Sequence, residues 1–140
     1  MSIKDTVKNM IGMKFGNYND CKNSKNYVEV KEKFTPFVMS SMFGNIKSYT
    51  DGHCYNNGKH VATVSHSEYN GEFNYSVYDV QKQRTYSSGW NSTGDTKLNY
   101  ITFNNYAIED ANKNGEIDEA DLIYVNDGQG NKQTIKEFLG

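Results

Sequence analysis

The sequence predicts a mainly β domain: an antiparallel sheet, sandwich or propeller-blade-like meander carrying one short N-terminal α-helix. Three observations predict it. The 140 residues are 14% aromatic, with eleven Tyr and seven Phe against one Pro, and aromatic side chains suit a pleated, half-buried surface. From Tyr27 onward apolar and polar residues alternate in short runs, the period of a strand with one buried face. Asn-Gly, Asp-Gly and Ser-Gly pairs separate those runs, so strands follow one another through tight turns rather than helical crossovers. The length fits one domain with a core of its own. No shift of composition divides it, and residues 1–140 are read as a single domain.

At the N-terminus, Ser2 followed three residues on by Asp5 resembles a capping box, and Ile3, Val7, Met10 and Ile11 recur at helical spacing. A helix is expected from Ile3 to near Phe15, ended by Gly12 or Gly16, so that residues 1–16 form a helical unit. Its apolar stripe is expected to pack on the domain's own core, with docking on a partner as the alternative. Asn17 to Asn26 is polar and Asn-rich and reads as a loop.

Residues 27–140 form the β-rich body. Tyr27 to Phe34 alternates, with Val28 and Val30 opposite Glu29 and Lys31. Pro36 and the small residues Ser40, Ser41 and Gly44 are expected to interrupt the pattern, and Asp51-Gly52 reads as a turn. The clearest hairpin joins His60–His66 to Glu72–Val80 through Asn70-Gly71, because both central residues of such a turn take positive φ. Further strands are expected at Arg84–Ser87, Leu98–Ile108, Leu122–Val125 and Gln133–Phe138.

Charge narrows the partners. The net charge is -2, yet residues 109–121 hold six carboxylates against Lys113 alone, leaving a mild positive excess elsewhere. With Arg84 the only arginine and no run of like basic charges, no nucleic-acid partner is expected. No apolar run approaches the roughly 20 residues that span a bilayer, so no membrane insertion is expected. The first residues lack the apolar stretch of a secretory signal, which predicts synthesis in the cytoplasm without a recognisable signal peptide. Cys21 and Cys54 allow one disulfide, but two cysteines make no disulfide scaffold, and free thiols are the expectation.

One segment carries chemistry. Asp110, Asn112 and Asn114 place oxygen donors at alternate positions, and Gly115 after them permits a sharp turn. Ile117 is the one aliphatic residue larger than Ala among them, while Glu116, Asp118 and Asp121 add carboxylates. A hard cation needs such a crowd of oxygens, because each replaces part of its hydration shell and the carboxylates offset its charge. The segment Asp110 to Asp121 resembles an EF-hand or dockerin calcium loop, with Asp121 where the EF-hand has a bidentate Glu. The resemblance implies one Ca2+ held by Asp110, Asn112, Asn114, Glu116 through its backbone carbonyl, Asp118 and Asp121, with Ile117 anchoring the loop to the fold. It covers one loop only, and its flanks read as strands rather than helices. Magnesium suits it less, since its strict octahedral shell favours one or two carboxylates.

Weaker groupings complete the reading. His53, His60 and His66 with Cys54 and Cys21 are zinc-type residues, but their spacing fits no zinc pattern, and facing strand positions or exposed turns account for them. Tyr69, Phe73, Tyr75, Tyr78, Tyr86 and Trp90 are expected mainly in the core and in cross-strand pairs. Trp90, Tyr86 and Tyr78 are the candidates for a sugar-stacking platform. The function expected is a non-enzymatic, calcium-stabilised structural or adhesion protein, a subunit of a larger assembly such as a phage virion, acting in extracellular, calcium-rich surroundings. A calcium-dependent carbohydrate-binding module using exposed Trp and Tyr is the alternative, and a small enzyme the third, though no nucleophile or acid-base pair is nominated.

Overall fold

The computed structural model describes residues 2–31, 34–41 and 44–140. Ten strands are described: β1 (Tyr27–Glu29), β2 (Phe34–Ser41), β3 (Gly44–Asn56), β4 (Lys59–Tyr69), β5 (Glu72–Asp79), β6 (Arg84–Ser87), β7 (Tyr100–Phe103), β8 (Tyr106–Glu109), β9 (Leu122–Val125) and β10 (Gln133–Thr134). Three helices accompany them: α1 (Ile3–Met10), α2 (Asn19–Lys22) and α3 (Ile135–Leu139). The strands make one sheet in the order β1-β3-β4-β5-β6-β7-β8-β9-β10, with β2 also beside β3. Every pairing is antiparallel, and the fold is the mainly β meander that the alternation and turn residues predict.

Turn chemistry fixes the register. Asn70 and Gly71 both take positive φ, 52° and 81°, the geometry that matches the twist of the flanking strands. Tyr69 is thereby set opposite Glu72 and Val64 opposite Val77. From that pair a row of side chains in register crosses the sheet: Val64, Val77, Tyr86, Ile101, Ile108 and Ile123. This row is the floor of the core. Val64, Ile101 and Ile108 are fully buried, and Val77 and Tyr86 pack beside them. Burying one such aliphatic side chain contributes about 1.5–3 kcal/mol.

The chain before the sheet covers that row. Ser2 caps α1 by accepting a hydrogen bond from the Asp5 amide at 3.2 Å, and Val7 and Met10 are fully buried. The helical stripe therefore packs on its own core, as expected. The helix is shorter than its periodicity predicts. It stops at Met10 because Ile11 turns extended, and the amides of Gly12 and Phe15 bond to the carbonyls of Ile117 and Gly115 instead.

Other expectations need correction. Pro36 does not interrupt a strand: it lies in β2 where the register shifts between Phe34 and Phe37, and at a bulge a missing N–H costs no ladder bond. Ser40, Ser41 and Gly44 are likewise paired, Ser41 facing Gly44 and Ser40 facing Asn45. The first expected strand ends at Glu29, and its later residues 32 and 33 lie outside the described residues. Asp51-Gly52 is no turn but the interior of β3, at a register shift against β4. Leu98–Ile108 divides into β7 and β8, because Asn104 adopts φ 50° between them. Gln133–Phe138 is mostly helix: Thr134 and Glu137 form a full capping box at the start of α3. Within the expected loop Asn17–Asn26, residues 19–22 form α2. Cys21 and Cys54 are joined in a disulfide rather than free, with Cα atoms 6.0 Å apart, because α2 lies against β3. No helix among the described residues is long and apolar enough to cross a membrane.

Candidate metal centre

The loop over residues 110–121 connects β8 to β9, whose last facing pair is Glu109 and Leu122. Two strands, not two helices, hold its ends. Within it the side chains of Asp110, Asn112, Asn114 and Asp118 each accept from a backbone amide further along. Asp110 Oδ2 accepts from Gly115 at 2.9 Å, Asn112 Oδ1 from Asn114 at 3.3 Å, and Asn114 Oδ1 from Glu116 at 3.0 Å. Asp118 Oδ1 accepts from Ala120 at 3.0 Å. Asp121 closes the ring, accepting from Ala111 at 3.2 Å and from Asp118 at 3.0 Å. Gly115, at φ +81°, makes the tight reversal that only a residue without Cβ adopts at little cost.

The electrostatics of the loop are unbalanced. Asp110 is 3% exposed and Asp121 fully buried, and Asp110 Oδ1 is buried without a hydrogen-bond partner. Burial pushes Asp121 up to about 6, and the neighbouring charges of Asp118 and Asp110 push the same way. Asp118 is held low by the Asn112 amide, which with Asn114 donates to its Oδ2. Two buried carboxylates beside a third, one with an unfilled lone-pair direction, is a costly arrangement in isolation. Carboxylate and amide oxygens are the donor types that a hard cation takes. Among the described residues no three His, Cys, Asp or Glu side chains cluster as a metal site by themselves, so the fit depends also on the Asn amides and on backbone carbonyls. The exposed Glu116 side chain is not among the inward donors.

The loop is tied to the core from one side. Ile117 is fully buried, its amide bonds to the Met13 carbonyl, and a bridge pairs Lys14 with Glu116. The covering segment after α1 thus uses the loop as its β-partner.

The proposed stacking residues do not form one platform. Tyr78 faces Thr85 and Tyr86 faces Val77, so Tyr78 and Tyr86 emerge on opposite faces of the sheet. Tyr86 belongs to the core, while Tyr78 is exposed on the outer face. Trp90 is 41% exposed and meets Tyr69 edge-on, ring centres 6.3 Å apart. His53 and His60 both reach Thr63 Oγ1, at 3.0 and 2.8 Å, whereas His66 lies on the opposite face, which gives zinc no shared centre.

A cluster that the sequence reading missed stands on the core face. His66 Nδ1 lies 2.8 Å from Asp51 Oδ2, and the Tyr18 hydroxyl donates to the same carboxylate oxygen. Tyr49 stacks on the His66 ring at 4.7 Å, and Tyr75 lies against Tyr18 at 4.9 Å. Burial opposes the charge on Asp51, but hydrogen bonds from His66 and Tyr18 and the charges of His66 and Lys22 outweigh it, holding the carboxyl below its ordinary value. Burial and the neighbouring Asp51 push the Tyr18 hydroxyl well up. Tyr18, Asp51, His66 and Tyr75 line a hollow of about 390 Å³. Reading Asp51-Gly52 as a turn hid it; the signal available was that His66 shares strand parity with Val64.

No protein family, curated protein or solved structure matches the chain.

Proposed function

We propose that the chain is a non-enzymatic, calcium-stabilised β domain with a structural or adhesive role in a larger assembly such as a virion. The observation that carries this reading is Asp110, a buried carboxylate with one oxygen unpartnered at the mouth of a loop whose side-chain oxygens are held by its own amides. One Ca2+ there would draw on Asp110, Asn112, Asn114, Asp118, Asp121 and the backbone at Glu116, and would offset the repulsion among the carboxylates. Because the loop pairs with the segment after α1, the ion would fasten the β8–β9 hairpin to the covering layer. The Cys21–Cys54 disulfide supports action in oxidising, extracellular surroundings, where calcium is plentiful enough for a loop of modest affinity.

Thermal unfolding by circular dichroism in calcium, magnesium and EGTA tests it, with Asp110→Ala beside the native chain. A calcium-specific rise of several degrees, absent in the variant, is the expected result. Identical melting in calcium and EGTA would overturn the reading.

A further inference from the structure

We infer that the outer face carries a saccharide-binding cleft between Trp90 and the calcium loop. The hollow there measures about 370 Å³, within the usual range of about 300–1,000 Å³ for small-molecule sites. Trp90, Asn99, Tyr100, Glu109, Ala111 and Lys113 line it. The inference deepens the adhesive half of the proposed function and names the class of ligand.

The cleft is built from rigid parts. Trp90 precedes Asn91, which exchanges two backbone hydrogen bonds with Phe73, at 2.7 and 2.9 Å, so the indole is presented from a fixed backbone. Tyr100 packs so closely over Gly89 that a Cβ there would stand 2.8 Å from its ring. Glu109 faces Tyr100 across the strand pair and meets Lys132 at 3.4 Å. The calcium loop supplies the remaining wall.

Its chemistry selects the ligand. An exposed indole offers an apolar face for the C–H side of a pyranose ring, while the Glu109 carboxylate and the side-chain oxygen of Asn99, whose Nδ2 is held by the Ser88 and Lys97 carbonyls, line the same hollow as acceptors for its hydroxyls. One lysine, Lys113, against the two carboxylates Glu109 and Asp110 in the lining gives no basic pocket for phosphate or sulfate. Beside the cleft, the outer face continues as hydroxyl rows in register, Ser65, Ser76 and Ser87 leading to Tyr100, with Tyr78 and Thr85 in the next row. A neutral oligosaccharide anchored on Trp90 has a hydroxylated surface on which to continue.

Trp90 is the only tryptophan, so its emission reports this cleft alone. The experiment titrates the full chain, in calcium and in EGTA, with maltohexaose, cellohexaose, xylohexaose, chitohexaose and an anionic oligogalacturonate, and repeats any binding by calorimetry with Trp90→Ala and Glu109→Gln. The expected result is a shifted emission with at least one neutral probe and binding weakened about tenfold or more in both variants. Glu109→Gln keeps the shape of the wall and guards against a Trp90→Ala chain that fails to fold. An emission unchanged by every neutral probe, a response to the galacturonate alone, or calorimetric affinity untouched by either variant would overturn the cleft. Binding equal in calcium and EGTA leaves the cleft standing on Trp90 and Glu109, and a calcium-dependent melting temperature without saccharide binding removes the cleft but not the ion.

Discussion

Asp51 and His66 meet at 2.8 Å across the β3–β4 pair, where the ladder slips between Thr50 and Gly52. The slip leaves Asp51 without a facing residue and turns its carboxylate toward the core, as bulges do. A buried acceptor at that point gathers the Tyr18 hydroxyl and the His66 ring and so joins the segment before α2 to the middle of the sheet.

The acidic limit of stability follows from that relationship. Because Asp51 is held below its ordinary value in the fold, its contribution is fully present above the unfolded carboxylate value of about 3.9 and is lost as pH falls through the lower folded value. Asp51→Asn removes the charge but keeps the shape. Urea denaturation at neutral pH should show the variant about 1–3 kcal/mol less stable, and below about pH 4 the native chain should lose stability more steeply than the variant. Parallel losses for the two chains would remove Asp51 from the account.

Gly115→Ala isolates the shape of the proposed calcium loop from its charge. Gly115 has φ +81° and nothing within 4 Å of an added Cβ, so the variant meets no clash and bears only the cost of a left-handed backbone, about 1–2 kcal/mol. If the loop must hold that reversal to aim Asp110, calcium affinity should fall together with stability, read as a smaller calcium-induced rise in melting temperature. An unchanged rise would mean that the loop binds its ion, if any, in another shape.

Much of this fold is legible in the residues because local and global preferences agree. Asn70-Gly71 demanded one turn and received it, and Arg84–Ser87 and Leu122–Val125 are strands over the residues expected of them. The misreadings share a physical cause. Asp51-Gly52 has turn residues in a strand interior, where the ring of Tyr27 occupies the space a Gly52 side chain would take; a tertiary contact outweighs the local preference. Asn104 splits an apparently continuous strand with no glycine to mark the place. Thr134 and Glu137 did announce a helix, but the apolar residues after them fit either period over so short a run. Of the candidate site, the loop donors are legible because their spacing is local. The Tyr18–Asp51–His66 cluster is not, since its members come from three elements that only the sheet register brings together.

Reduction of the Cys21–Cys54 bridge should lower stability without dissolving the sheet. The bond closes a loop over a sequence separation of 33 residues, for which the entropy of the unfolded chain gives about 3–4 kcal/mol. It joins α2 to β3, outside the row from Val64 to Ile123. Far-ultraviolet circular dichroism in a thiol reductant should therefore keep its β signature at 25 °C, while the melting temperature falls by roughly ten degrees. The double Cys→Ser variant should melt with the reduced chain. A reduced chain as stable as the oxidised one would place the disulfide among features that constrain nothing.

Calcium should also be felt a hundred residues away from its loop in sequence. The amides of Gly12 and Phe15 bond to the carbonyls of Ile117 and Gly115, and the Ile117 amide bonds back to Met13, so any opening of the loop frees the covering segment. A ligand at a hundredfold over its dissociation constant adds about 2.7 kcal/mol to the bound state, and the openings that break these bonds become rarer in proportion. Hydrogen exchange followed by mass spectrometry should show slower exchange in calcium than in EGTA both across residues 110–121 and across residues 11–16, with little change at the β4–β5 turn around Asn70. Ile117→Ala should uncouple the two regions: it empties a fully buried position at a cost of about 2–5 kcal/mol, and calcium should then protect the loop without protecting residues 11–16. Protection confined to the loop in the native chain would show that the pairing of Lys14 with Glu116 transmits nothing, and that the ion steadies only its own turn.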